Sequence, residues 1–394
     1  MHYKITTIAL LASAASAQSF YDVIQKQPTL SLFATIIKTF NETFADILSA
    51  ASASDTRTIL VPNNRAVATY LQKNDIRSAT EISAENVRPF LSYHVLMNNV
   101  SSEDFLQPGG SIVESTLKDP EFALLKNNAG QVVFGHKASE STEQAKAGAV
   151  EVKSGLGDSV KIVESNIQFD NGQFHVVDGL LTLPANCSNT IAHLGAEKLV
   201  TYIGRVGLLD ALDGTPGATC FAPTDAAIEA ALPVLMGLSD AELIDAIKFH
   251  ILLDPYYTSN LTDGQMLETA SIGRSVRVNI VGGQYYFNGV KAITTNDIVR
   301  NGVAYVLDGI MPYEFNGIIP TNSTVTTSAA VSTSTIGIGS NSTVTTSASG
   351  TVTVTTGSIS TSAPTATDEP SAASTARVPG VLLLTAAALT WFLL

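Results

Sequence analysis

Two stretches of the chain share one pattern of apolar and polar positions. Residues 58–67 read TILVPNNRAV and residues 219–228 read TCFAPTDAAI, so that Thr219 falls on Thr58, Phe221 on Leu60, Pro223 on Pro62 and Ile228 on Val67. Each is a short apolar run closed by proline, then small polar residues, then an alanine-bearing helix start. The pattern predicts a strand turning into a helix: proline has no N–H to continue a ladder, and Asn63 or Thr224 supplies an oxygen for the unpaired amides of the first helical turn. A duplicated turn predicts two copies of one domain, with the other landmarks recurring in the same order.

They do recur. Before the first turn, residues 20–47 place Leu32, Ile36, Ile37 and Phe40 at helical spacing, and before the second come Ile191, Leu194, Leu199, Ile203 and Leu208. After the turns, residues 83–97 align with 239–253. Ser239 to Glu242 is a capping box, and Ser83 is the matching cap. Val87, Phe90, Leu91 and His94 stand at i, i+3, i+4 and i+7, as do Leu243, Ala246, Ile247 and His250, which puts each histidine on the buried stripe of its helix. No second ligand stands one turn away, so a hydrogen-bonded core histidine is expected rather than a metal ligand.

Towards the end of each repeat the period becomes alternating. Val160, Ile162, Ile167 and Phe169 lead to Asn171-Gly172, and Ile298 and Val299 to Asn301-Gly302, each followed by a nearly continuous apolar run. Asn-Gly predicts a tight hairpin with two positive-φ residues, and the run a strand buried on both faces. Asp178 and Asp308 recur within the runs, where a carboxylate is expected to accept backbone hydrogen bonds. The first copy is longer, with an exposed loop expected over residues 137–148 beside a hairpin holding Gln131, Val132 and Val133.

The ends change the picture. Lys4, the apolar run 5–12 and Ala15-Ser16-Ala17 make a secretory leader, 1–17. The Ser/Thr-rich segment 317–377 lacks the apolar bulk to offset its ordering entropy and predicts a disordered, O-glycosylated stalk, with β-aggregation the competing reading if bare. The final 378–394 is apolar, shorter than a membrane helix needs, and has no basic stop, which predicts a glycosylphosphatidylinositol signal; Ser371, followed by Ala372 and Ala373, is the favoured attachment residue, and a single-span anchor is the alternative. That leaves 18–184 and 185–316 as the two domains, on the outer face of the plasma membrane or in the cell wall. Sequons begin at Asn41, Asn99, Asn186, Asn260, Asn322 and Asn341.

Charge and chemistry narrow the function by exclusion. The formal charge of −13, from 22 basic and 35 acidic residues, comes without a Lys/Arg cluster and argues against nucleic acid as a partner. Cys187 and Cys220 are the only cysteines. Oxidised, they close a loop of about 34 residues, worth roughly 3 kcal/mol on chain entropy; the alternative is a pair of buried thiols. Nucleophile elbows, phosphate loops, zinc spacings and duplicated paired carboxylates are not found, so neither catalysis nor a cofactor or metal is expected.

The landmarks together resemble the fasciclin, or FAS1, family. Its first block is matched by Thr219-Cys220-Phe221-Ala222-Pro223-Thr224-Asp225, its central Tyr-His by Tyr93-His94 and less faithfully by Phe249-His250, and its second block by residues 175–184 and 305–312. The resemblance implies an α+β fold of two tandem FAS1 domains, each with helices packed on a β-wedge, used in adhesion and matrix contacts. In animal members an Asp-Ile pair before the second block is linked to integrin recognition. Asp297-Ile298 occupies that place in the second domain and Asn166-Ile167 in the first, so a carboxylate-borne adhesion site is expected only at Asp297 and Ile298; a turn-stabilising aspartate is the plainer reading. The expected partners are extracellular matrix, a cell-wall glycan or a cell-surface protein, with the membrane reached through the lipid anchor. A structural wall-maintenance role is one alternative. A carbohydrate- or lipid-binding module is another, because Tyr256, Tyr257, Tyr285 and Tyr286 are adjacent aromatics able to stack on sugar rings.

Overall fold

A computed structural model of the chain describes residues 18–49, 56–138, 149–314, 342–346 and 352–356. The leader, most of the 137–148 loop, Asn322, Asn341, Ser371 and the 378–394 tail lie outside the described residues.

The first repeat opens with helices α1 (Phe20–Ile24), α2 (Ser31–Thr39) and α3 (Asn41–Ser49), then strand β1 (Arg57–Pro62), α4 (Asn64–Lys73) and α5 (Ala84–His94), which runs into β2 (Val95–Met97). Strands β3 (Ser111–Glu114), β4 (Val132–Lys137), β5 (Val150–Lys153), β6 (Ser159–Phe169) and β7 (Gly172–Val177) complete it. The second repeat follows the same plan: α6 (Cys187–His193), α7 (Glu197–Arg205), α8 (Leu209–Gly214), β8 (Ala218–Pro223), α9 (Asp225–Leu235), α10 (Asp240–Phe249), β9 (Ile251–Leu252), then β10 (Met266–Glu268), β11 (Ser275–Val281), β12 (Gln284–Phe287), β13 (Val290–Val299) and β14 (Gly302–Leu307). Separately, β15 (Ser342–Thr346) and β16 (Val352–Thr356) pair antiparallel.

The caps foreseen at the duplicated turn are in place. Asn63 accepts a hydrogen bond from the Ala66 amide and Thr224 from the Ala227 amide. Ser83 caps α5, and Ser239 with Glu242 makes both bonds of the capping box on α10.

The two sheets have one topology, β2-β1-β7-β6-β5-β4-β3 and its equivalent β9-β8-β14-β13-β12-β11-β10. In each, the strand entering the duplicated turn lies parallel to the last strand, β1 on β7 and β8 on β14. These four strands are buried along their whole length, as two-sided burial requires. Alternation distributes their side chains: Ile59 and Val61 join the helices in one cluster, while Leu60 joins the hairpin strands in another. Cys220 and Ala222 face the helices of the second repeat, and Phe221 faces its hairpins.

The hairpin before each last strand differs from the sequence expectation. Its two-residue turns are Asp170-Asn171 and Arg300-Asn301, and neither asparagine has positive φ. The glycines already belong to the strands, at φ 150° and 144°. A β-carbon on Gly172 would sit 1.9 Å from the Arg57 carbonyl oxygen, and one on Gly302 2.0 Å from that of Ala218. Glycine is required here for close approach of two backbones rather than to shape a type I′ turn.

Candidate functional site

The Asp297-Ile298 pair lies on β13 just past a break in its ladder, where the register with β14 shifts between Thr294 and Asp297. The residue at the break is Asn296, at φ 55°. Strand β6 breaks at the same place, between Glu164 and Ile167, with Asn166 at φ 61°. Asparagine tolerates this left-handed conformation better than other side chains, and a bulge re-aims the side chains beyond it.

Each asparagine then ties a distant loop to its bulge. Asn166 Oδ1 accepts from the Ser102 amide at 3.0 Å and its Nδ2 donates to Ser102 Oγ at 3.0 Å. Asn296 Oδ1 accepts from the Thr258 amide at 2.9 Å and its Nδ2 donates to Thr258 Oγ1 at 2.6 Å. This corrects the alignment drawn from sequence. Asp297 pairs with Ala304 as Ile167 pairs with Phe174, so Ile167 is the counterpart of Asp297 and Asn166 that of Asn296. The signal for this pair was an asparagine at one fixed distance before Asn-Gly in both repeats.

The bulge turns Asp297 inward rather than to solvent, which corrects the expectation of an exposed adhesion carboxylate. Asp297 and Ile298 are both 0 % exposed. Thr294 Oγ1 donates to Asp297 Oδ2, and Lys153 Nζ of the first repeat donates to Asp297 Oδ1 at 2.7 Å and to the Thr295 carbonyl at 2.7 Å. Ile298 pairs with Gly155 across the same junction.

The pair is the centre of a joint between the repeats. Gln131 Nε2 donates to the Phe122 carbonyl at 2.8 Å and to those of Val299 and Arg300 at 3.3 Å. Arg300 sits in the hairpin turn and works in both directions. Its Nε donates to the Pro120 carbonyl at 2.8 Å, and its own carbonyl accepts from the Leu124 amide at 2.7 Å. Thr258 Oγ1 donates to the Gly109 carbonyl at 2.7 Å, and Lys126 pairs with Asp254. Val132 and Phe134 of the first repeat enter the apolar cluster of Phe221, Phe287 and Tyr305 in the second. The role of Lys153, Gln131 and Arg300 in the joint carried no sequence signal, since it depends on partners in the other repeat.

The histidines are core groups in both repeats, as expected. His94 Nδ1 donates to the Phe90 carbonyl and Nε2 accepts from the Leu181 amide; His250 does the same with the Ala246 carbonyl and the Met311 amide. Burial is the larger influence and lowers each from 6.5 to about 4, against the opposing carbonyl bond. Asp178 and Asp308 accept from the Lys161 and Lys291 amides, at 2.7 and 3.1 Å.

The cysteines are brought together, but as thiols. Cys187 and Cys220 are buried in one apolar cluster and are not bonded as a disulfide. The neighbouring thiol and desolvation both push the Cys187 thiol well above its ordinary value. The four tyrosines of the carbohydrate-binding alternative do not share one face. Tyr256, Tyr257 and Tyr285 pack on the core cluster, with the Tyr285 hydroxyl donating to the Thr258 carbonyl, while Tyr286 lies on the other side of β12 opposite Asn279 and Lys291.

Among the sequons, Asn41, Asn99 and Asn260 are exposed. Asn186 is half-buried and accepts from Arg300, and its Ser188 hydroxyl donates to Asp213. Among the described residues no group of three or more metal-ligating side chains is found, and no helix is long and apolar enough to cross a membrane.

Comparison with known proteins bears on the whole arrangement. A fasciclin-like arabinogalactan protein of Phaeosphaeria nodorum is 26% identical over 310 residues, covering 78% of this chain and 92% of its own length. One from Cercospora beticola is 25% identical over 331 residues, covering 79% and 81%. A solved FAS1 domain pair from the insect cell adhesion molecule Fasciclin I aligns with 71% of this chain and 96% of its own at 15% identity, with a TM-score of 0.32. The family model of the fasciclin domain matches residues 28–184 and 195–312, one match per repeat, and the chain belongs to the fasciclin domain family.

Proposed function

We propose that this is a cell-surface or cell-wall glycoprotein that acts by binding, presenting two FAS1 domains held as one unit and retained at the membrane by a lipid anchor. The observation that carries the reading is the match of the fasciclin domain to both repeats, supported by relatives named fasciclin-like arabinogalactan proteins. The leader, the Ser/Thr-rich stalk and the apolar tail of the sequence support the surface location.

Because Asp297, Ile298 and three of the four tyrosines are spent on internal packing, the binding surface lies on the exposed faces of the helices and sheets. The partner is extracellular matrix, a cell-wall glycan or a surface protein. Cells displaying the full chain are expected to adhere to wall or matrix preparations more strongly than cells displaying the stalk alone; equal adhesion would overturn the binding role. Phosphatidylinositol-specific phospholipase is expected to release the protein, and its persistence on cells with an intact C-terminal peptide would overturn the anchor.

A further inference from the structure

At the entrance of the first repeat, α1, α2 and α3 leave an open groove of about 410 Å³. Phe20 and Phe44 form its floor, their ring centroids 5.4 Å apart, and Tyr21 and Leu48 line it half-buried. The lining is mostly apolar, with Ser19 and Lys38 among it. Asn41 also lines this groove; it is exposed, it is the first residue of α3, and it opens the sequon Asn41-Glu42-Thr43.

We propose that the groove seats the first N-acetylglucosamine units of a glycan carried on Asn41. In the transfer, Asn41 Nδ2 forms a bond to the anomeric carbon of a lipid-linked oligosaccharide. That carbon's bond to the lipid diphosphate breaks, and the diphosphate and the amide proton leave. The sugar presents an apolar ring face and an acetyl methyl to Tyr21 and Leu48, while Lys38 offers an ammonium donor to its oxygens. Attachment at the rim supplies the occupant at high effective concentration, so a contact too weak to hold a free sugar suffices. Asn99 and Asn260, also exposed, are not among the residues of this groove.

The proposal rests on the protein being secreted, and the test separates the two. The full chain is expressed in a eukaryotic host and its glycopeptides are mapped by mass spectrometry. Occupied Asn41 is expected; bare Asn41 on protein that has reached the cell surface or medium overturns the groove proposal alone, and retention of the chain in the cytosol with its leader intact overturns the secretory reading with it. Thr43→Ala, which removes the glycan without touching the lining, is expected to lower Tm by about 2–4 °C. The same substitution in a Tyr21→Ala background is expected to have little effect, and equal shifts in the two backgrounds overturn the seat. Hydrogen exchange on the unmutated chain gives an independent reading: enzymatic removal of the glycan is expected to raise exchange in α1 and the start of α3, and unchanged exchange there overturns the seat.

Discussion

At the scale of single residues, His94 and His250 carry the clearest pH dependence. Each is neutral, with Nδ1 donating to a carbonyl one turn back and Nε2 accepting from an amide beyond the last strand, Leu181 or Met311. Protonation removes the acceptor and places a charge in the core. Their folded values of about 4 lie below the unfolded value of 6.5, so the folded state binds fewer protons in that range. Their contribution is therefore complete above pH 6.5 and is lost as pH falls towards 4. At about 1.4 kcal/mol per unit, each histidine withdraws on the order of 2–3 kcal/mol over that window. Urea unfolding from pH 7 to 4.5 is expected to show this loss, and His94→Gln is expected to lower stability at pH 7 while flattening the slope. An unchanged slope would mean that His94 is not the titrating group.

At the scale of elements, the bulges and the paired strands make different demands. Asn296→Ala gives up asparagine's tolerance of φ 55° and leaves the Thr258 amide without its acceptor, for an expected loss of about 2–4 kcal/mol. Asn296→Gly keeps the backbone and loses only the bonds, so it is expected to cost less by chemical denaturation; equal costs would refute the backbone part of the argument. Gly302→Ala drives a methyl to 2.0 Å from the Ala218 carbonyl in the centre of the sheet. It is expected to abolish soluble expression or cost more than about 4 kcal/mol, whereas Gly282→Ala, with open space around it, costs about 1 kcal/mol from its φ alone. The strands, caps and core histidines were legible in the sequence because each depends on neighbours within one turn or one strand. The meaning of Asn-Gly was not, because the contact that demands glycine comes from a strand more than a hundred positions away in the first repeat.

At the scale of the whole molecule, the two repeats are joined by a buried ion pair. Lys153 and Asp297 have side chains 16 % and 1 % exposed, so removing one partner strands a charge in a poor solvent. Asp297→Ala is expected to cost about 3–5 kcal/mol and to separate the unfolding of the repeats in calorimetry. Replacing both, as Lys153→Met with Asp297→Leu, is expected to restore most of that loss, because an apolar pair has no charge to desolvate. If the double variant is as unstable as the single one, geometry at the bulge rather than the uncompensated charge is what matters. If Asp297→Ala leaves one cooperative transition of unchanged midpoint, the joint does not couple the repeats.

The sequence by itself determined the two repeats, their family, the turn from β1 into α4 and from β8 into α9, and the burial of the histidines. Local periodicity and backbone chemistry suffice for those, and duplication allowed each to be read twice. Only the tertiary structure decided the fate of Asp297. A carboxylate in an alternating strand has the same local pattern whether it meets water or the ammonium of a lysine from the other repeat. The bulge at Asn296 and the approach of β5 settle which it meets, turning an apparent adhesion residue into part of the joint between the repeats.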